Sequence, residues 1–199
     1  SDAAPHMDVT LFNRLPVHKT ALLERYAGLA AWRFRELALL LKRWSQARLP
    51  TAREAPREDP RAPAPPGAAG PGLDSYGLSL MAVYFLQATR GMPSAQDMAE
   101  APSLFEDFTG RAYNVSMVEP PADGARDGDC PPPSGDEWAD LLRLSRDFFG
   151  FYSSEFDWAS AAVDVRHAPP AAARPRAPGL ALSIPCPIDP GRDVGLRHG

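Results

Sequence analysis

Apolar and polar positions alternate through "MDVTLF" (7–12), with Met7, Val9 and Leu11 on one side and Asp8, Thr10 and Phe12 on the other. That alternation predicts a strand. One strand cannot stand alone, so its partner strands are expected upstream or are missing; the chain opens on Ser1 rather than Met, and we read it as a piece of a longer protein. Over 18–48 the period changes. Leu23, Tyr26, Ala30, Phe34, Leu37, Leu41 and Trp44 recur at spacings of three and four, which predicts a long helix. Gly28 marks a candidate break into two. Thr20 could cap this helix, or Pro16 could occupy the first turn of one that starts earlier. Residues 75–88 are apolar on every side, as in a helix central to its domain.

Further along, "APSLFEDFTGRAYNVS" (101–116) is expected to hold a short helix and an extended piece. Ser134 and Glu137 form an S-x-x-E capping box. The helix behind it is expected to bury Trp138, Leu141, Leu142, Phe148, Phe149 and Tyr152. "AAVDVR" (161–166) reads as a strand. Two proline-rich stretches, 120–135 and 167–179, read as a loop and a linker. "TAREAPREDPRAPAPPGAAGPG" (51–72) has too little to bury to offset its ordering entropy, and reads as a disordered Pro/Ala-rich insertion.

With 199 residues, 44% of them hydrophobic, the chain can build a core. Its net charge of −4 excludes a uniformly basic nucleic-acid binder. The charge is uneven, however. Between Asn13 and Pro50 stand Arg14, Lys19, Arg25, Arg33, Arg35, Lys42, Arg43 and Arg48 against Glu24 and Glu36. Such a block is either a solvated helix face or a local face for phosphates. Cys130 and Cys186 lack metal-ligand spacing. No apolar run reaches the ~20 residues of a membrane span, and no signal-peptide pattern is present.

Six stretches, in order, carry a resemblance: "DVTLFNRLPVHKTALLERY", "LLLKRWSQ", "LDSYGLSLMAVYFLQ", "FFGFYSSEFDW", "VDVR" and "CPIDPGRDVG". They resemble the non-conventional poly(A) polymerases and terminal uridylyltransferases, which belong to the DNA polymerase beta-like nucleotidyltransferases. The resemblance implies a mainly α fold. In it, 1–12 is the last strand of the palm, and 13–50 with 73–199 form the helical PAP-associated domain.

The resemblance also implies roles. Asp8 matches the third catalytic carboxylate, a ligand to Mg²⁺ (or Mn²⁺). Ser75 and Tyr76 match a serine that reaches a phosphate and a tyrosine that stacks on the base. A helix N-terminus suits an anion, and an aromatic face is worth roughly 1–3 kcal/mol to a base. On the residues alone, the same pair reads sooner as a serine cap and a core tyrosine. Lys42 matches a lysine on the β/γ-phosphates. Asp189 and Arg192 fall in the loop that reads the base edge. Asp193 is either part of that reading or a turn stabiliser.

The implied partners are an NTP (UTP or ATP) and an RNA 3′ end, with no membrane, inside the cell. Departures accompany the match. Lys19 stands where the family has a ribose-contacting asparagine, Gln46 where it has a second phosphate lysine, Cys186 for an aspartate and Ile188 for a phenylalanine. The G-S and D-x-D motifs that precede the third carboxylate are not in this chain, since "DGD" (127–129) lies after Asp8 in a turn-like stretch. The expectation is an active parent whose present piece is inactive alone. The alternative is an inactive relative that binds RNA or a protein.

Overall fold

A computed structural model describes residues 14–29, 33–48, 73–97, 99, 103–117, 135–167, 175–189 and 191–197. The expected strand at 7–12, with Asp8, the insertion at 51–72 and the Ser134 cap lie outside them. Within them the fold is mainly helical, with two small antiparallel pairs of strands.

The long helix of the first segment is two helices, α1 (Leu15–Gly28) and α2 (Phe34–Arg48). Pro16 sits in the first turn of α1, where its missing N–H is no loss, so Thr20 is interior rather than a cap. α1 ends as the amide of Leu29 turns back to the Tyr26 carbonyl. Arg33, left-handed at φ 53°, precedes α2. The rings of Tyr26 and Phe34 meet edge-on at 6.1 Å across the bend.

α3 (Ser75–Arg90) is the central helix expected from its apolar run. Leu80, Ala82, Val83, Phe85 and Leu86 are all buried. Its polar core residue, Gln87, donates to the carbonyl of Val165 at 3.0 Å and reaches the Tyr26 hydroxyl at 3.5 Å. The helix is capped by Asp74, whose Oδ1 accepts from the Gly77 amide at 2.6 Å. It stops at Gly91, left-handed at φ 68°.

The 103–117 segment holds no helix. It is a hairpin of β1 (Leu104–Glu106) and β2 (Ala112–Asn114), with Phe105 opposite Tyr113. Asp107, Thr109 and Gly110 (φ 78°) supply the turn chemistry that overrides helix formation. α4 (Gly135–Gly150) runs on into a π-helical turn, Phe151–Glu155. Phe148 meets Phe85 edge-on at 5.7 Å, and the Tyr152 hydroxyl donates to the Met81 carbonyl at 2.9 Å.

Trp138, Leu142 and Phe149 are exposed, contrary to the expected buried face, and so is Trp44 of α2. α4 carries two apolar stripes. Leu141 and Phe148 of the first are buried, with Phe148 against Phe85 of α3, and α4 lies alongside α2. Trp44 and Phe149 lie against each other at 4.8 Å instead. Residues 161–166 form no continuous strand. Ala161 makes an isolated bridge to Pro175, and Val163 donates to the Ser183 carbonyl at 2.9 Å.

The C-terminal segment closes the core with Ile184, Cys186 and Ile188, all buried. β3 (Leu180–Leu182) pairs with β4 (Leu196–Arg197). Gly195 packs so tightly on the Leu182 carbonyl that no side chain fits there. Asp193 stabilises this turn: its Oδ1 accepts from the amides of Ile184 (2.8 Å) and Gly195 (2.7 Å), and its Oδ2 from the Ser183 hydroxyl (2.6 Å).

Candidate functional site

Four parts of the chain meet at one end of α3. Because Asp74 supplies the cap, Ser75 is left exposed at the first helical position and Tyr76 projects sideways, half-buried. Lys19, one turn into α1, lays its Nζ over the Tyr76 ring, 4.9 Å from the centroid. At the other end of that ring the hydroxyl lies 3.9 Å from the Cys186 sulfur. Burial, followed by the neighbouring thiol of Cys186, holds the Tyr76 hydroxyl well above its ordinary pKa, so it remains a neutral donor.

The loop that carries Cys186 is tightly wound. The Cys186 amide donates to the Arg192 carbonyl at 2.8 Å, and the Arg192 amide to the Asp189 carbonyl at 2.9 Å. The Asp189 amide donates to the Cys186 sulfur at 3.4 Å. The side chain of Asp189 is buried and ion-paired to Arg111 of the hairpin at 2.5 Å. Arg111 in turn lies over Tyr113, 5.2 Å from the ring centroid. Tyr113 faces Phe105 at 6.1 Å, and Phe105 is covered by Arg14 (5.5 Å) and His18 (4.8 Å) of α1. Burial and then the Arg14 charge lower the His18 pKa, which favours a neutral imidazole on the aromatic side of this rim.

Of the residues expected at a nucleotide site, Lys19, Ser75, Tyr76 and Asp189 gather here. Arg192 is on the same loop but exposed, and its backbone rather than its side chain makes the loop contacts. Lys42 is exposed on α2. Phe34 beside Tyr26 puts the start of α2 near the end of α1, so α2 runs back and carries Lys42 toward the end where α1 and α3 begin. No contact ties it to the cluster among the described residues.

Arg111, Tyr113 and Phe105 were not expected here. Their stretch is expected from the sequence to be part helix, and nothing local marks Arg111 as the partner of an acid 78 positions away. Among the described residues, no group of three or more His, Cys, Asp or Glu could hold a metal ion. They therefore do not fit a divalent metal by themselves. No helix among them is long and apolar enough to cross a membrane.

The fold is similar to that of RNA terminal nucleotidyltransferases. Among them is Cid1 in complex with its short product ApU, at a TM-score of 0.60 and 22% identity, over 92% of this chain and 50% of that one. Cid1 poly(U) polymerase with Mg and 3′-dATP gives 0.59 at 22% identity, over 92% and 50%. A cytoplasmic RNA terminal U-transferase gives 0.57 at 20% identity, over 92% and 52%. The chain thus spans about half the length of these proteins, and at such identity the likeness is one of fold. No protein-family model matches the chain, and no curated protein matches it.

Proposed function

We propose that this chain is the helical, nucleotide-holding part of a terminal RNA nucleotidyltransferase that adds UMP or AMP to RNA 3′ ends. The observation that carries the reading is the meeting of Lys19, Ser75, Tyr76 and the 186–192 loop at the N-terminus of α3, in a fold similar to Cid1. The base stacks on Tyr76, and the phosphates lie toward the first amides of α3, Ser75 and Lys42. Lys19 now occupies the ring. Lys19 is half-buried, so its ammonium on the ring is worth between ~0.5 and 2 kcal/mol, against roughly 1–3 kcal/mol for a stacked base. When the base takes the ring, Lys19 turns to the anionic tail. The third carboxylate is Asp8. With the two carboxylates expected upstream, it would bind divalent metal, whose chemistry is to activate the RNA 3′-hydroxyl and neutralise the triphosphate.

Calorimetry of UTP and ATP binding tests the site. Tyr76→Ala should weaken affinity by about tenfold, the lower part of one base stack. An unchanged affinity would reduce the ring to packing. Primer extension by the longer parent protein tests the reaction, and Asp8→Ala should abolish it. A second reading, a binding module without catalysis, is favoured by Lys19 and Gln46, which replace two of the family's nucleotide contacts. It predicts RNA retention with no extension of a labelled primer under any NTP.

A further inference from the structure

The two members of the Arg111–Asp189 ion pair are unequally placed. The Asp189 side chain is 7% exposed and that of Arg111 51%. The guanidinium is therefore the member open to a ligand, and the carboxylate lies behind it. A buried acid that takes one nitrogen of an arginine fixes the plane of the fork and leaves its other N–H groups directed outward. Two neighbours sharpen this placement. The Tyr113 ring lies under the guanidinium at 5.2 Å. At Gly191, a Cβ would come within 2.6 Å of the Arg111 Nη2, so the glycine makes room for the arginine. The pair also stands at the hydroxyl end of Tyr76, because the Asp189 amide and the Tyr76 hydroxyl share the Cys186 sulfur.

Resting on the nucleotide reading above, we propose that Arg111 contacts the base edge and determines specificity, and that Asp189 is its positioning residue. A guanidinium is donor-only. It pairs with the carbonyl of a keto base, O4 of uracil or O6 and N7 of guanine. At the same edge of cytosine or adenine it meets an amino group, another donor. The site thus selects keto NTPs over amino NTPs.

The test is NMR titration of the ¹⁵N-labelled chain with UTP, CTP, GTP and ATP up to millimolar concentration. UTP should bind roughly fivefold or more tighter than CTP, and GTP than ATP, the low end of one good base contact. R111M alone would strand a buried carboxylate, so the double variant R111M/D189N removes the guanidinium and the orphaned charge together. It should keep the amide spectrum and bring each ratio to within about twofold of unity. R111K keeps a donor-only charge without the fork, so it should retain affinity and the direction of the preference but at a reduced ratio. D189N alone should lower the UTP:CTP ratio while CTP affinity holds, whereas a purely structural role would weaken all four nucleotides alike. A preference that survives in R111M/D189N overturns the proposal. Equal binding of all four by the wild type overturns it and leaves the nucleotide reading standing. Binding of none removes the reading and the proposal with it.

Discussion

Asp107, at the tip of the hairpin, accepts four hydrogen bonds. Its Oδ1 receives the Thr109 hydroxyl (2.5 Å), the Thr109 amide (2.8 Å) and the Arg111 amide (3.2 Å), and its Oδ2 the Tyr113 hydroxyl (2.9 Å). Led by the Thr109 hydroxyl, these bonds hold the carboxyl down to about 2, against an ordinary 3.8. The folded pKa lies below the unfolded one. The stabilisation is therefore present above pH 3.8 and is lost as pH falls through about 2. Between those values the amides of Thr109 and Arg111 should lose protection from hydrogen exchange, while the α3 amides keep theirs. In Asp107→Asn that acid transition should vanish, and its persistence would assign it to another carboxylate. Since Arg111 sits at the foot of this turn, the hairpin's order bears on the site. Lys19, Tyr76 and Asp189, which the structure brings together, are legible in the sequence because each stands in a patterned stretch. The Arg111–Asp189 pair is not legible, because an ion pair across 78 positions leaves no local trace.

At the scale of elements, the legible parts were those whose environment is uniform. α3 is apolar all round, so no choice of face was needed, and its central place followed. The break after Gly28 and the early start at Pro16 were legible as punctuation. α4 was harder. Leu141 and Phe148 make one stripe and Trp138, Leu142 and Phe149 another, and periodicity alone does not say which one a partner covers. The hairpin was misread because its strands are three residues each, too short for alternation to register. Helix ends are testable in the same terms. Gly91 ends α3 at φ 68°, with nothing within 4 Å of where a Cβ would stand. A side chain there meets no clash, only the left-handed backbone penalty of roughly 1–2 kcal/mol. Gly91→Ala should lower the urea midpoint by about that free energy with an unchanged m-value, and Gly91→Asn by less, since asparagine tolerates the conformation. Equal stability of all three would mean the cap is not held in that geometry.

For the whole molecule, the C-terminal segment is part of the core rather than a tail. Leu182, Ile184, Cys186 and Ile188 are buried in one cluster with α3, although their stretch reads as a proline-broken loop. Gln96 donates to the Pro187 carbonyl at 3.1 Å, and Val163 to that of Ser183 at 2.9 Å, so the segment is also held by polar contacts from both sides. The site depends on this closure, because Cys186 and Asp189 reach Tyr76 and Arg111 only when the segment is in place. Burying one large aliphatic side chain stabilises by ~1.5–3 kcal/mol, so Leu182, Ile184 and Ile188 together contribute roughly 5–9 kcal/mol. A domain of this size has about 5–15 kcal/mol in total. The two quantities are comparable, which decides the expectation for a chain stopped after Gly179. It should show no cooperative thermal transition by circular dichroism and should lose the near-ultraviolet signal of the Phe148–Tyr152–Phe156 aromatic cluster. A sigmoidal melt within a few degrees of the intact chain would show that α1–α4 carry the fold by themselves. The 180–197 segment would then be an independent loop laid over a finished core.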